Sequence, residues 1–142
     1  MSVERRIEVE RSAPEVLAYL ADFGRTREWD PGTVDCVRLD SGPVVVGSRW
    51  TNTSRFRGRT AVLDYRLVRY DAQRLRFVGN NRTVTATDDI TVRPSGSGAM
   101  VEYRAHLRFK GLVRLAAPLL KRTFEQLADD VAERLPRVLA RS

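Results

Sequence analysis

The chain has 142 residues, with 25 Lys and Arg against 18 Asp and Glu for a formal charge of +7, and only one His and one Cys. This length suits a single domain (1–142) that buries roughly 70% of its unfolded surface, and 42% hydrophobic with 30% charged residues is a globular composition. Cys36 alone excludes an intrachain disulfide, and His106 alone excludes a multi-histidine metal site.

From Val3 to Arg11 the chain alternates Val3, Ile7 and Val9 with Glu4, Arg6, Glu8 and Glu10, which predicts a half-buried strand. Ser12 and Glu15 then form a capping box around Pro14. A helix is predicted from Ala13 to Asp22, burying Val16, Leu17 and Leu20. Gly24 stops it, and Arg25 to Trp29 gives one more short turn before the breaker Asp30, Pro31, Gly32. The period then changes to short alternating segments at 34–40, 48–56, 59–70, 74–79 and 82–93. Their separators are turn-like, and Asn80-Asn81 suits positive φ in a tight hairpin. A glycine-serine turn at 95–98 precedes the clearest strand, Met100 to Phe109. Beyond Gly111, residues 112–139 carry Val113, Ala116, Leu120, Phe124, Leu127, Val131 and Leu135 at helical spacing, and Pro118 should kink or divide that segment. The order predicts an α+β fold in which an antiparallel meander is covered by one long C-terminal helix. The N-terminus lacks a signal-like apolar run and no stretch approaches the roughly 20 apolar residues of a membrane span, so a soluble cytoplasmic protein is expected.

Three stretches, VERRIEVERSAPEVLAYLADFGRTREWDPG, PVVVGSRWT and GLVRLAAPLLKRTFEQLADDVAERL, together with this element order, resemble the polyketide cyclase/dehydrase and lipid-transport superfamily, the START-like or helix-grip (SRPBCC) proteins. The most telling piece is the first strand followed by Ser12, Pro14 and Val16, a helix, and then Trp29 ahead of Pro31. The resemblance covers essentially the whole chain. It implies a curved seven-stranded antiparallel sheet wrapped around the C-terminal helix, two short helices after the first strand, and a deep cavity for lipid- or polyketide-like ligands. The superfamily shares no catalytic motif, so function rests on the polar groups that point inward.

Strand parity identifies those groups. On 82–93 it turns Val84, Ala86, Asp88, Ile90 and Val92 inward and the threonines and Asp89 outward. Asp88 is then a carboxylate among apolar neighbours, suited to general-base chemistry or to hydrogen bonding a ligand; its other reading is a solvated or arginine-paired rim residue. On 48–56, Trp50 shares its parity with Ser48, Asn52, Ser54 and Phe56, a strip offering both stacking and hydrogen bonds. Tyr65 and Tyr103 fall on inward rows of their strands, and Trp29 with Asp30 lies where the short helices meet the sheet. His106 shares the outward parity of Arg104 and Arg108, which removes a triad built on the one histidine. Cys36 shares a parity with Val34 and reads as a small core hydrophobe.

The leading expectation is a protein that binds a hydrophobic or aromatic small molecule, with Trp29, Trp50, Asn52, Ser54, Tyr65, Asp88 and Tyr103 as ligand-binding residues and no metal or nucleotide. One rival is a cofactor-independent polyketide cyclase or dehydratase with Asp88 as general base and a Tyr hydroxyl or Asn52 stabilising an enolate. Another is a partner- or lipid-delivery module without catalysis. A homodimer covering the exposed strand edges stays open. The basic excess, 23 Arg with Lys110 and Lys121, runs from Arg5 to Arg141 with acids between and reads as a solvated shell, not a specific nucleic-acid surface. Gly96-Ser97-Gly98 lacks a third glycine and precedes a strand, so it is a hairpin turn and not a dinucleotide loop.

Overall fold

The computed structural model describes residues 1–141; the side chain of Phe56, expected on the inward strip, lies outside the described residues. Seven strands, β1 (Ser2–Val9), β2 (Thr33–Arg38), β3 (Arg49–Phe56), β4 (Arg59–Tyr70), β5 (Arg74–Asn80), β6 (Val84–Ser95) and β7 (Gly98–Phe109), form one antiparallel sheet. Its order is β1-β7-β6-β5-β4-β3-β2, so β2 to β7 run as a meander and β1 returns to pair with β7. Between β1 and β2 stand α1 (Ala13–Ala21), a 3-10 turn (Phe23–Arg25) and α2 (Thr26–Trp29); after β7 come a 3-10 segment (Gly111–Ala116) and the long α3 (Ala117–Arg141). This is the helix-grip arrangement, with the sheet curved around the C-terminal helix.

The caps and turns explain most boundaries. Ser12 Oγ accepts from the Glu15 amide at 3.4 Å, as a helix N-cap requires. Arg11 takes the Glu15 carboxylate at 2.7 Å through Nε, adding an ion pair to the box. Positive φ appears in the β3–β4 hairpin, at Arg57 (51°) and Gly58 (76°), where a two-residue turn must match the twist of its strands. The expectation for Asn80-Asn81 is corrected: neither residue has positive φ. Instead, Asn81 Oδ1 accepts from the amides of Thr83 (2.8 Å) and Val84 (2.9 Å), so the side chain closes the turn.

Pro118 divides the C-terminal segment, as expected: the 3-10 turns end before it and the proline sits in the first turn of α3, where no intrahelical donor is lost. Pro136 lies inside α3 without ending it. Arg5, on the inward parity of β1, holds the helix through Glu125 at 2.8 Å and Asp129 at 2.9 Å.

Parity fails in β2. A bulge between Thr33 and Asp35 shifts the register, leaving Val34 57% exposed while Cys36 is 8% exposed in the core. Cys36 is thus the core hydrophobe expected, but not on the row of Val34. Burial raises its thiol pKa to about 11, as an inert structural cysteine shows.

Candidate functional site

The concave face is filled at one end and open at the other. At the filled end Phe23, carried by the 3-10 turn, stacks on Phe77 with centroids 4.2 Å apart and meets Trp50 edge-on at 5.8 Å. Trp50 and Phe77 are fully buried in this aromatic cluster. Between α3 and the sheet lies a cavity of about 790 Å³, within the ~300–1,000 Å³ typical of small-molecule sites. Leu63, Ala86, Leu107, Phe124, Leu127 and Val131 form much of its apolar wall, and Arg57, Arg59, Thr60, Thr83 and Leu119, all exposed, mark its open end.

Four of the expected residues, Ser54, Tyr65, Asp88 and Tyr103, line this cavity. Asp88 stands between Ala86 and Ile90 on the buried row of β6 and is 8% exposed. Its cross-strand partner on β7 is the small Ala105, and Tyr103, two residues along the same face, reaches diagonally to donate its hydroxyl to Asp88 Oδ1 at 3.2 Å. Tyr65 on β4 opposes Gly79 on β5. A Cβ at Gly79 would fall 2.5 Å from the Tyr65 ring, so the missing side chain is what lets the phenol lie over the neighbouring strand.

The remaining expected residues are placed elsewhere. Trp29 and Trp50, 1% and 0% exposed, are core residues outside the cavity lining; Trp29 packs edge-on against Tyr103 at 5.9 Å. Both buried indole nitrogens lack a hydrogen-bond partner among the described residues. Asn52 is also outside the lining, but it links two residues within it. Ser54 Oγ donates to Asn52 Oδ1 at 2.7 Å, Asn52 Nδ2 donates to Thr33 Oγ1 at 3.2 Å, and Thr33 Oγ1 donates to Asp30 Oδ2 at 3.1 Å. His106 is exposed, 2.6 Å from Ser2 Oγ.

Asp30 and Gly79 are what the sequence reading left without a role. Asp30 lines the cavity, fixed by the Gly32 amide at 3.0 Å on Oδ1 and by Thr33 on Oδ2. The sequence places Asp30 where the short helices meet the sheet, but not its carboxylate on the cavity lining. An interior strand glycine signals a close approach, but only the register identifies Tyr65 as the group that approaches.

The cavity concentrates unlike groups in a low-dielectric space. Burial, followed by the field of Asp30, raises the Asp88 pKa to about 7, against which the Tyr103 hydrogen bond acts. Burial also raises Asp30, opposed by the Gly32 amide, the Thr33 hydroxyl and the charge of Arg134. Tyr65 and Tyr103 are pushed well above the usual phenol range, first by burial and then by Asp88 and Asp30. The phenols are therefore neutral donors, and Asp88 changes charge near neutrality. Such a group accepts a proton from a weak acid or donates a hydrogen bond to a carbonyl. Among the described residues no three His, Cys, Asp or Glu side chains converge as a metal site. Among the described residues no helix is long and apolar enough to cross a membrane.

Solved structures share this architecture. A START superfamily protein from Mycobacterium smegmatis matches with a TM-score of 0.81 at 15% identity, covering 99% of this chain and 97% of that one. A protein from Thermus thermophilus matches with 0.73 at 14% identity, covering 97% and 99%. The di-domain ARO/CYC StfQ from the steffimycin biosynthetic pathway matches with 0.72 at 15% identity, covering 99% of this chain and 50% of that one. At these identities the likeness concerns the fold alone. No curated protein matches by sequence. The family described as polyketide cyclase / dehydrase and lipid transport matches residues 1–140, and with nearly the whole chain covered, this protein belongs to that family.

Proposed function

We propose that the protein binds a hydrophobic or aromatic small molecule, lipid- or polyketide-like, between α3 and the sheet. The observation that carries this reading is a mostly apolar cavity of about 790 Å³ whose polar side chains are Asp88, Tyr103, Tyr65, Asp30 and Ser54, with Arg57, Arg59, Thr60 and Thr83 at its open end. Affinity comes from removing ligand hydrocarbon from water, and orientation from the neutral phenols and Asp88. Native mass spectrometry of the freshly purified protein, with extraction and identification of any co-purifying molecule, tests it. A bound apolar molecule that Ala105→Phe displaces supports the reading. A protein that carries nothing and does not quench or enhance an anilinonaphthalene sulfonate probe in the folded state removes it.

A second reading is favoured by the Asp88 and Tyr103 pair. With its pKa at about 7, Asp88 is suited to remove a proton from carbon next to a carbonyl; once that proton sits on Asp88, the Tyr103 hydroxyl, which donates to its Oδ1 at 3.2 Å, is freed to turn its one proton to the enolate oxygen. That is the chemistry of a cyclase or dehydratase. Asp88→Asn should abolish turnover of a poly-β-carbonyl substrate while leaving its binding within a few-fold; turnover that survives the substitution excludes Asp88 as the base.

A further inference from the structure

The cavity's open end is rich in basic residues, with Arg57 and Arg59 on its lining. Three separate segments meet there: Arg55–Ala61 at the β3–β4 hairpin, Asn80–Val84 between β5 and β6, and Leu107–Phe124 across the end of β7, the 3-10 segment and the start of α3. Specific bonds hold them together. Arg57 Nη1 donates to the Leu119 carbonyl at 3.3 Å, Lys110 Nζ donates to the Asn81 carbonyl at 2.9 Å, and the Lys110 amide donates to the Thr83 carbonyl at 2.8 Å. These segments contain nine Arg and Lys and no Asp or Glu, so the rest of the chain holds sixteen basic residues against eighteen acidic ones. Of these nine, Arg57 and Arg59 line the cavity, and Lys110, Arg114, Lys121 and Arg122 stand on the segments bonded around its open end, while Arg108 keeps the outward parity of β7.

Within this cationic field the chain presents hydrocarbon. Leu112, Leu115 and Leu119 are 85%, 72% and 74% exposed, the three most exposed large apolar side chains among the described residues. They follow one another along the 3-10 segment and the first turn of α3, flanked by the exposed Arg114, Lys121 and Arg122. Leu119 also belongs to the cavity wall, so this surface is continuous with the entrance. Protruding leucines ringed by Arg and Lys are the complement of a bilayer surface with anionic head groups, where the cations pair with phosphates and the leucines enter the acyl boundary. A polyanion such as RNA would use the charge and leave the leucines in water.

We infer that this end of the molecule docks on an anionic lipid surface, placing the cavity entrance against the bilayer. The inference goes beyond the cavity reading and stands apart from it, because vesicle binding is measured without any cavity ligand and should not change in Asp88→Asn.

The test is co-sedimentation of the full chain with vesicles of phosphatidylcholine alone and of phosphatidylcholine containing roughly one-third phosphatidylglycerol. Binding should be at least about tenfold stronger to the anionic vesicles and should weaken as salt is raised. The combined Leu112→Ser, Leu115→Ser, Leu119→Ser variant should lose about tenfold or more. Since these side chains are exposed, its thermal unfolding should match the parent and separate lost docking from lost folding. Lys121→Glu with Arg122→Glu should abolish the preference for anionic lipid. Absence of binding at low salt, or binding undiminished by the serine variant, overturns the inference. So does polyuridylate binding as tight as vesicle binding and indifferent to the leucines, and so does a dimer in ultracentrifugation that the serine variant dissolves, since the face would then belong to a second copy.

Discussion

Asp88 and Asp89 occupy opposite faces of β6: Asp88 faces the cavity with the Tyr103 hydroxyl 3.2 Å from Oδ1, while Asp89 accepts from Arg74 at 2.8 Å and Arg76 at 3.0 Å on the convex side. Burial raises the first to about 7, and its arginine partners lower the second. The two carboxylates therefore give stability opposite dependences on pH. The folded protein keeps a proton on Asp88 that the unfolded chain releases near pH 4, so stability should fall between about pH 4 and 7 at up to ~1.4 kcal/mol per unit. Asp88→Asn should flatten that slope and be about 2–4 kcal/mol more stable than the parent near pH 8, with little difference near pH 4. Asp89 stabilises above its unfolded pKa and loses that contribution in acid, so Asp89→Asn should cost about 1 kcal/mol near neutrality. Urea unfolding across pH reads both; equal slopes in parent and Asp88→Asn would show that Asp88 is ionised and solvated.

Gly79→Ala tests the close approach of Tyr65. The new methyl would lie 2.5 Å from the ring, so the phenol must leave its place over β5. A loss of about 1–3 kcal/mol is expected by denaturant unfolding, with weaker binding of any cavity probe. A neutral result would mean that the ring relocates at no cost.

Filling the cavity separates binding from folding. Ala105→Phe places a ring in the space opposite Asp88, where no packed core has to move. Calorimetric titration with a ligand recovered from the protein should show at least about a tenfold loss of affinity, with stability within about 1 kcal/mol of the parent.

Trp50 and Tyr103 should part company in the same assay. Trp50→Ala removes a fully buried ring from the aromatic cluster and should cost about 3–5 kcal/mol. Trp50→Phe keeps most of that packing and drops a buried N–H that has no partner, so ligand affinity should stay within about twofold. Tyr103→Phe removes a hydroxyl that faces the cavity and should weaken a carbonyl- or phenol-bearing ligand by about 1 kcal/mol.

Cys36 should resist thiol reagents in the folded protein. With its pKa at about 11 and the side chain buried, it should react with Ellman's reagent near pH 8 only as fast as the chain opens, and at once in denaturant.

The linear sequence determined the elements and the inward direction of Asp88, Tyr65 and Tyr103. These follow from side-chain alternation in a strand and from caps and breakers, which act within a few residues. The fate of each inward residue was decided elsewhere. Trp50, Asn52 and Ser54 share one row of β3, yet Trp50 is sealed under Phe23, Asn52 is bonded to Thr33, and only Ser54 reaches the cavity. That division depends on where the 3-10 turn and α3 cover the sheet, which is a matter of packing between segments distant in the chain. The β2 bulge reversed the row of Cys36 for a similar reason, since pairing with β3 sets the register. Charge shows the contrast most clearly. The sequence determined a net +7, but only folding set Arg57 and Arg59 on the cavity lining and bonded the segments that carry Lys110, Arg114, Lys121 and Arg122 beside them, because electrostatic potential depends on distance in space and not on order along the chain.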